Sequence, residues 1–367
     1  AGSPLMNWAS GGAKEYNAEL CKRGADALGQ ALALTESTNR YELADFSEYN
    51  DIFLLHNSSG KLNGVKESIF MENIKDYSGR WRWNMVNDFR PQSIEYSGIK
   101  CYPTANYVNY YGMQNGYPIN DMTKADAESG YDPTHPWKNR DPRFYKTIMF
   151  DGVKWKSTGG AGGTAELFTG GRESEEANEK KGCFTAYMNS KLCPQLMNTV
   201  DGYKENNIMI LSLMRLADVY LMYAEAAANA TGSSTGKSTN CTLTALAAVN
   251  TIRKRARVEG VNAKYTGSID LFNSEIRRER AVELAYEGHR FTDLRRWLLI
   301  DKKPYTEKTA VDFQRVGDLA ENPQETAVSG YTYRVIVTRN FTEKHYWLPL
   351  KLSDVTLYPE FYQNPGW

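Results

Sequence analysis

The sequence predicts a mainly α fold, an α-superhelix of stacked helix pairs with a large loop-rich insertion and little β structure. Three observations support this prediction. Apolar side chains recur every three or four positions over residues 208–229 and 242–258, they do so again over 268–299, and residues 77–207 show no sustained period. A chain of 367 residues is also longer than one hydrophobic core requires, so we expect about two packed regions.

Residues 1–76 are expected to form a partial N-terminal helical region. Apolar positions predict a helix over 14–35 and a short helix over 46–55, and β-favouring residues predict a strand over 67–74. The chain opens on AGSPLMNWAS, with neither an initiator methionine nor a secretory segment, so we expect a processed or truncated form.

Residues 77–207 are expected to be a loop-rich ligand-binding region, because long irregular segments inside compact domains are usually functional. Residues 77–117 hold ten aromatic residues interleaved with arginine and amide side chains. Aromatic rings match the C–H face of a sugar, whereas planar polar groups match its rim of hydroxyls. We therefore predict a saccharide site whose binding residues are Tyr77, Trp81, Arg82, Trp83, Asn84, Asp88, Arg90 and Tyr96.

The aromatic residues of this region also allow a structural alternative, in which they pack the loops onto the helices. We favour packing for Phe89, Tyr107, Tyr110 and Tyr111. For Trp81 and Trp83 the two interpretations stay about equally open; on a strand both rings would face the same side and form a small platform. Trp137 and Trp155 also lie in loop-like sequence and could extend that platform.

Composition limits the classes of partner and cofactor. Lysine plus arginine and aspartate plus glutamate both number 44, so nothing indicates a nucleic-acid partner, and no apolar run is long enough to span a membrane. The histidines are scattered and the five cysteines form no C-x-x-C, so no metal or other cofactor is predicted, although oxygen-rich loops could hold calcium without a motif. Cys183 and Cys193 could form a loop disulfide, but buried free thiols are favoured.

The periodic segments would fill residues 208–300 with a scaffold of two helix pairs. Stacked pairs of this kind are typical of α-solenoids similar to tetratricopeptide repeats, although the tetratricopeptide signature is not literally present. Residues 301–367 end in a stretch rich in proline and aromatic residues, which is expected to wrap back over the helices. Trp297 and Trp347 are expected in the core.

The segment AVELAYEGHRFTDLRRW, residues 281–297, places a glycine inside a helical pattern. Gly288 is expected either to break the helix or to let another backbone approach closely. Glutamates at i+4 steps lie near arginines that could neutralise them, so we predict an acid–arginine network against neighbouring helices. The glutamates are Glu279, Glu283 and Glu287, and the arginines are Arg277, Arg278, Arg280 and Arg290. An acid–base set of Glu287, His289 and Asp293 is the disfavoured alternative.

The longer block RRERAVELAYEGHRFTDLRRW resembles the hallmark segment of the SusD/RagB family, surface glycan-binding lipoproteins of Bacteroidetes nutrient-uptake systems. Other blocks resemble the same family in the same order: SPLMN near the start, NRDPRFYKTIMFDG, RLADVYLMYAEAAANA, AAVNTIRKRARV and the terminal YQNPGW. A further family pattern falls at Pro103, Thr104, Val108, Tyr111, Met113, Asn115 and Gly116, and indicates framework. The resemblance covers essentially the whole chain.

The resemblance implies a superhelix of tetratricopeptide-like pairs that binds oligosaccharide or polysaccharide at the cell surface for nutrient uptake, without catalysis. It also implies delivery of the glycan to a SusC-like TonB-dependent outer-membrane transporter, and attachment to the outer membrane through an N-terminal lipid anchor that is not in this chain. Three alternatives stay open. They are a peptide-binding member of the family, a helical glycoside hydrolase that would need two acids such as Asp88 and Glu95, and a pure interaction scaffold.

Overall fold

The computed structural model describes residues 15–56, 64–72, 89, 101–158, 163–176, 182–193, 197–198, 200–202, 207–358, 360, 362–364 and 366–367. The α-helices are α1 (Ala18–Thr38), α2 (Ala105–Val108), α3 (Pro142–Thr147), α4 (Leu216–Thr231), α5 (Ala245–Arg255), α6 (Ile269–Glu283), α7 (His289–Arg296) and α8 (Leu352–Leu357). The strands are β1 (Leu54–His56), β2 (Ser68–Glu72), β3 (Ile148–Met149), β4 (Met188–Asn189), β5 (Asn207–Met209), β6 (Leu211–Arg215), β7 (Glu307–Arg315) and β8 (Val328–Thr338). Within these residues the mainly helical fold is confirmed, and the strands form antiparallel pairs.

Helix α4 lies at the centre of the helical scaffold and packs against α1, α5 and α6. Small side chains make this close packing possible, because alanines and glycines let two helix backbones approach. On α4 the fully buried residues include Ala217, Ala224, Ala227 and Ala228. The helices predicted over 14–35, 242–258 and 268–299 are confirmed in existence and approximate extent.

The predicted helix over 208–229 is wrong in its first third, because residues 207–215 form strands. Strand β5 pairs with β1, and β6 pairs with β2 in a register that sets Arg215 opposite Ser68. The helix begins only at Leu216. Local periodicity did not reveal the strands, because their hydrogen-bonding partners lie well over a hundred residues earlier in the chain.

Gly288 breaks the helical pattern of residues 281–297. Its φ of 85° is left-handed, and it caps the N-terminus of α7 after a turn that follows α6. A Cβ at this position would meet no atom within 4 Å, so the glycine serves the turn and not the close approach of another backbone. The short helix predicted over 46–55 is a 3-10 helix over Phe46–Ile52 that leads into β1, and the strand predicted over 67–74 is β2.

The largest apolar core lies in the irregular region and not among the helix pairs. Tyr111 is fully buried there, and Phe89 is buried in an adjoining cluster, which confirms the packing predicted for both. The possibility that Trp137 and Trp155 extend a ligand platform is contradicted, because they are 1% and 0% exposed. The Trp137 ring stacks on Phe150 with 5.2 Å between ring centroids, so these indoles stabilise the loops instead of facing a ligand.

The C-terminal part contains a β-hairpin that the sequence analysis missed. Strands β7 and β8 pair over nearly their whole length, and Val311 and Phe313 of β7 enter the large core. The packing predicted for the C-terminal segment on the helices is confirmed for Tyr346, which is 1% exposed beside Leu294 and Trp297. It is wrong for Leu352 and Tyr362, which are 76% and 83% exposed.

Both tryptophans expected in the core of the helical part pack as expected. Trp297 is buried and donates its indole N–H to Glu225 Oε1 at 2.8 Å, and Trp347 packs against the same small cluster. Cys183 and Cys193 are buried free thiols, as favoured from the sequence. Their S–H groups donate to the carbonyl oxygens of Tyr187 and Met197.

Two glycines of α1 provide a test of its close packing. We expect Gly29→Ala to lower the free energy of unfolding by about 1–3 kcal/mol, because a Cβ there would lie 2.5 Å from Ser238 Oγ and 2.9 Å from Cys241 Cβ. Gly24→Ala is the matched control, because its Cβ would lie 3.7 Å from that of Ala226, an ordinary contact, and alanine favours the helix. Urea unfolding would measure both; equal stabilities for the two variants would contradict the packing.

Candidate functional site

All eight residues predicted to bind saccharide lie outside the residues that the structure describes. They are Tyr77, Trp81, Arg82, Trp83, Asn84, Asp88, Arg90 and Tyr96. Glu95, an acid named for the hydrolase alternative, lies outside them as well. Their roles therefore stay predictions. The structure describes Phe89 within their segment and residues 101–117 after it.

The C-terminal flank of the aromatic segment is anchored where α6 meets α7. The hydroxyl of Tyr107 donates to the carbonyl oxygen of Ala281 at 2.5 Å, and its ring lies 6.4 Å from the ring of Tyr286. The Arg290 guanidinium lies 4.7 Å from the ring centroid of Tyr110. The packing role predicted for both tyrosines is thus confirmed, and the chain that leaves the predicted site is held against the hallmark segment.

Arg215 is the centre of the buried ion network. It ends β6 and caps α4, which carries its guanidinium into a fully buried position. Its Nη1 donates to Glu67 Oε1 at 2.6 Å and to Glu283 Oε1 at 2.7 Å, and its Nε donates to Glu287 Oε2 at 2.6 Å. The forked geometry of guanidinium lets a single side chain join three carboxylates in this way.

The carboxylates of α6 continue this network along one face of the helix. Glu283 also bonds to Arg143 at 2.9 Å and to Arg255, and Glu279 bonds to Arg143 at 2.5 Å. Arg253 bridges from Glu279 to the next carboxylate, Glu275, at 2.9 Å and 2.6 Å. All of these carboxylates are less than one-tenth exposed, so each is compensated by arginine and not by water.

The predicted acid–arginine network is confirmed, but most of its predicted arginine partners are wrong. Arg278 pairs with Glu275, and Arg280 pairs with Asp218 and Asp293. Arg277 and Arg290 contact aromatic rings: the first lies 5.6 Å from the Trp297 ring centroid, and the second lies over two tyrosines. Arginines from α3, α5 and the end of β6 neutralise the glutamates instead, because these elements converge on α6 in the fold.

Burial and neighbouring charges shift the pKa values of these groups in opposite directions. At the carboxylates the effect of the neighbouring cations is the larger one. Burial acts to raise the pKa of Glu283, but Arg255, Arg215 and Arg143 hold that pKa far below its ordinary value. Burial also acts to raise the pKa of Glu275, but Arg278 and Arg253 outweigh it and lower that pKa to about 2. Burial lowers the pKa of Lys191 to about 8, against the attraction of Glu287, which its ammonium group contacts at 2.8 Å.

The alternative acid–base set is not assembled. Glu287 is held by Arg215 and Lys191, and burial is outweighed there so that its pKa is lowered. Asp293 is held by Arg280 and Arg296. A general acid needs a pKa raised toward neutrality, so this segment is suited to holding helices together and not to proton transfer.

The described part of the chain holds neither a cluster of metal ligands nor a helix that could span a membrane. No group of three or more histidine, cysteine, aspartate or glutamate side chains is arranged there to hold a metal ion. None of its helices combines the length and apolar character required to cross a bilayer. Calcium binding by loops outside these residues stays an untested expectation.

The model of the SusD family matches residues 66–367. A SusD-like protein (BF3747) from Bacteroides fragilis superposes with a TM-score of 0.69 at 23% identity, over 94% of this chain and 62% of that one. A SusD-like carbohydrate-binding protein (BF0978) from the same species gives a TM-score of 0.63 at 20% identity, over 92% of this chain and 61% of that one. Among curated proteins none matches the sequence. The chain thus spans less than two thirds of these structures, and at such identities they show a shared fold.

Removal of one central carboxylate would test the ion network. We expect Glu283→Gln to lower the free energy of unfolding by about 3–5 kcal/mol, because it leaves buried arginines without compensation. Glu325→Gln is the control: it breaks a 2.7 Å pair with Lys138 in which both side chains are about half exposed, and the loss should stay below about 1 kcal/mol. Urea unfolding of the two variants would measure this, and similar losses would contradict a central role for Glu283.

Acid should unfold the protein through the same carboxylates. The pKa of Glu275 falls from 4.5 to about 2 on folding, so between these pH values the unfolded chain binds more protons than the folded one. Its contribution, about 3 kcal/mol, is complete above the higher value and is lost as the pH falls through the lower one. Urea unfolding measured from neutral to acidic pH should show this slope, and Glu275→Gln should flatten it, whereas Glu325→Gln should not.

Proposed function

Because the chain belongs to the SusD family, as the match over residues 66–367 shows, we propose that it binds oligosaccharide or polysaccharide for nutrient uptake without cleaving it. The family match is the observation that carries this proposal. It spans the aromatic segment 77–117, whose composition suits a sugar ligand.

In this proposal the rings of Trp81 and Trp83 stack on the C–H faces of sugar units, with Tyr77 and Tyr96 beside them. Arg82, Asn84, Asp88 and Arg90 bond to the hydroxyl groups. The affinity is modest, because each sugar hydroxyl exchanges a bond to water for a bond to protein at little net gain. The anchoring of residues 107–110 on the α6–α7 junction supports the proposal, since it limits the movement of the chain next to the site.

The whole protein would work at the cell surface. We propose that it is a surface-exposed lipoprotein attached to the outer membrane through a lipid on a segment N-terminal to this chain. It would hand its glycan to a SusC-like TonB-dependent transporter. Family membership supports both proposals.

The carboxylates of the described residues support binding without hydrolysis. Glycosidases need two accessible carboxyl groups across a cleft, one of them with a raised pKa. The acids of the ion network have lowered pKa values and arginine partners. Burial does raise the pKa of Asp151, but this side chain is fully buried and accepts bonds from Arg315 and the Leu167 N–H.

Affinity electrophoresis against a panel of plant, host and microbial polysaccharides would test the proposed function. We expect one class to retard the protein, and Trp81→Ala/Trp83→Ala to weaken that retardation roughly tenfold or more, since two stacked rings are removed. Tyr362→Ala/Trp367→Ala is the matched control, because both rings lie exposed in the C-terminal tail. No released reducing sugar is expected.

Three outcomes would contradict this proposal. Retardation that survives the tryptophan double variant would move the site to other residues. Binding of peptides but not of any polysaccharide would favour the peptide-binding alternative. Release of sugar fragments would favour a hydrolase.

A further inference from the structure

A polar cleft of about 390 Å³ lies where the framework turn at residues 113–116 meets the end of α5. Met113 is buried within it. The polar residues of its lining are Gln114, Asn115, Ser129, Asn139, Arg257 and Glu259. Clefts of this size hold small ligands of one or two rings. None of these residues belongs to the ion network or to the predicted aromatic site.

Backbone hydrogen bonds between distant segments hold the cleft in shape. The Gln114 N–H donates to the carbonyl oxygen of Asn139 at 2.9 Å, and the Glu259 N–H donates to that of Gln114 at 3.0 Å. Gly116 permits this approach: its φ is 85°, and a Cβ there would lie 2.9 Å from the carbonyl oxygen of Glu259. Arg278 of the ion network donates to the Gly116 carbonyl oxygen at 2.8 Å and so fixes the turn to α6.

Two residues around the cleft adopt a left-handed backbone conformation, and each has a local reason for it. Asn139 has a φ of 53° and Arg257 a φ of 61°. Asparagine accepts this conformation readily, and Arg257 ends α5 in a Schellman motif: its N–H donates to the Lys254 carbonyl oxygen at 3.0 Å, and the Val258 N–H donates to that of Arg253 at 2.9 Å. The two conformations therefore belong to the fold itself, and they set the positions from which the Asn139 and Arg257 side chains extend.

In the cleft the polar side chains of Gln114, Asn139, Arg257 and Glu259 are exposed. Ser129 is buried, and the Asn115 amide donates to the Ser129 carbonyl oxygen at 3.0 Å. Within the described part of the chain, Gln114, Asn139 and Glu259 make no side-chain hydrogen bond or ion pair. The Arg257 guanidinium lies 5.7 Å from the ring centroid of Phe46 and attracts the Asp45 carboxylate, with no hydrogen bond or ion pair to it among the described residues.

The chemistry of these groups indicates the class of ligand. Two carboxamides can each donate and accept, Glu259 accepts and Arg257 donates, and their opposite charges cancel. Vicinal hydroxyls on a sugar ring also donate and accept in pairs. We infer that the cleft is a second saccharide site, for one or two neutral sugar units, built from residues other than the predicted aromatic ones. This inference rests on the proposed glycan-binding function.

Hydrogen exchange measured by mass spectrometry on the full chain would test the second site. The probes are glucose, galactose, mannose, xylose, N-acetylglucosamine and their common disaccharides at millimolar concentration. We expect one of them to protect the amides of residues 112–118 and 256–260. Asn139→Gly/Glu259→Gln should weaken this protection about tenfold, since several hydrogen bonds are lost.

The substitutions are chosen to leave the fold intact. Glycine accepts the left-handed φ of Asn139 without strain, and glutamine keeps the shape of Glu259. Asn39→Gly is the matched control, because Asn39 has a similar φ of 50° at the end of α1, outside the cleft. Its protection by sugar should equal that of the unmodified chain, and circular dichroism would confirm that all variants fold.

Each other outcome overturns the inference in a distinct way. Glycan binding that depends on Trp81 and Trp83 but protects neither peptide leaves the proposed function standing and removes the second site. Protection by zwitterionic dipeptides, with none from sugars, would make Arg257 and Glu259 a site for paired charges. Absence of any sugar binding would contradict both the second site and the proposed function.

Discussion

The structure depends on compensation of the buried charge of Glu283. This carboxylate is fully buried at the end of α6 and contacts arginines from three other elements, Arg143 of α3, Arg215 at the end of β6 and Arg255 of α5. Glu67, which precedes β2, pairs with two of these arginines, Arg215 and Arg255. Desolvating so many charges is costly unless every one has its partners, so these elements must assemble in one arrangement. The network therefore fixes the irregular region on the helical scaffold.

Two kinds of contact stabilise the scaffold, and they act at different helices. Around α4 the contacts are made by alanines and other apolar side chains, which are non-directional and tolerate small shifts between helices. Along α6 they are directional charge-assisted hydrogen bonds, which tolerate very little. Apolar burial accordingly supplies much of the stability of the helix pairs, whereas the ion network sets the position of the loops relative to them.

The sequence predicts an element well when the residues that stabilise it lie close together along the chain. Helices α1, α5, α6 and α7 were predictable because their stripes and the Gly288 break are local. Strands β5 and β6 were not, since the partners that satisfy their backbone lie far earlier in the chain. Trp137 and Trp155 sit in sequence without a period, and only the hairpin β7–β8 and the neighbouring core show why they are buried. For the aromatic site, Trp81 and its neighbours stay predictions.

The polar cleft carried a partial signal in the sequence. Gln114-Asn115-Gly116 is typical of a tight turn, and Asn139 is a residue type that accepts a positive φ. Neither signal indicates that the two would meet Glu259, because that contact arises from long-range backbone hydrogen bonds. Spacing alone could not have placed the carboxylate beside the two amides.

Glu259 and Glu283 show why residue type alone does not assign a role. Both are glutamates close to arginine in the sequence, yet Glu283 is fully buried with arginine partners, and Glu259 is exposed with no side-chain partner among the described residues. A buried, compensated carboxylate has no lone pair left for a ligand, whereas an exposed one on a fixed backbone does. Arg278 pairs with Glu275, on the same helix as Glu283, and donates to the Gly116 carbonyl oxygen. The same turn accepts the Glu259 N–H at the Gln114 carbonyl oxygen, so the ion network and the cleft share one fixed piece of backbone.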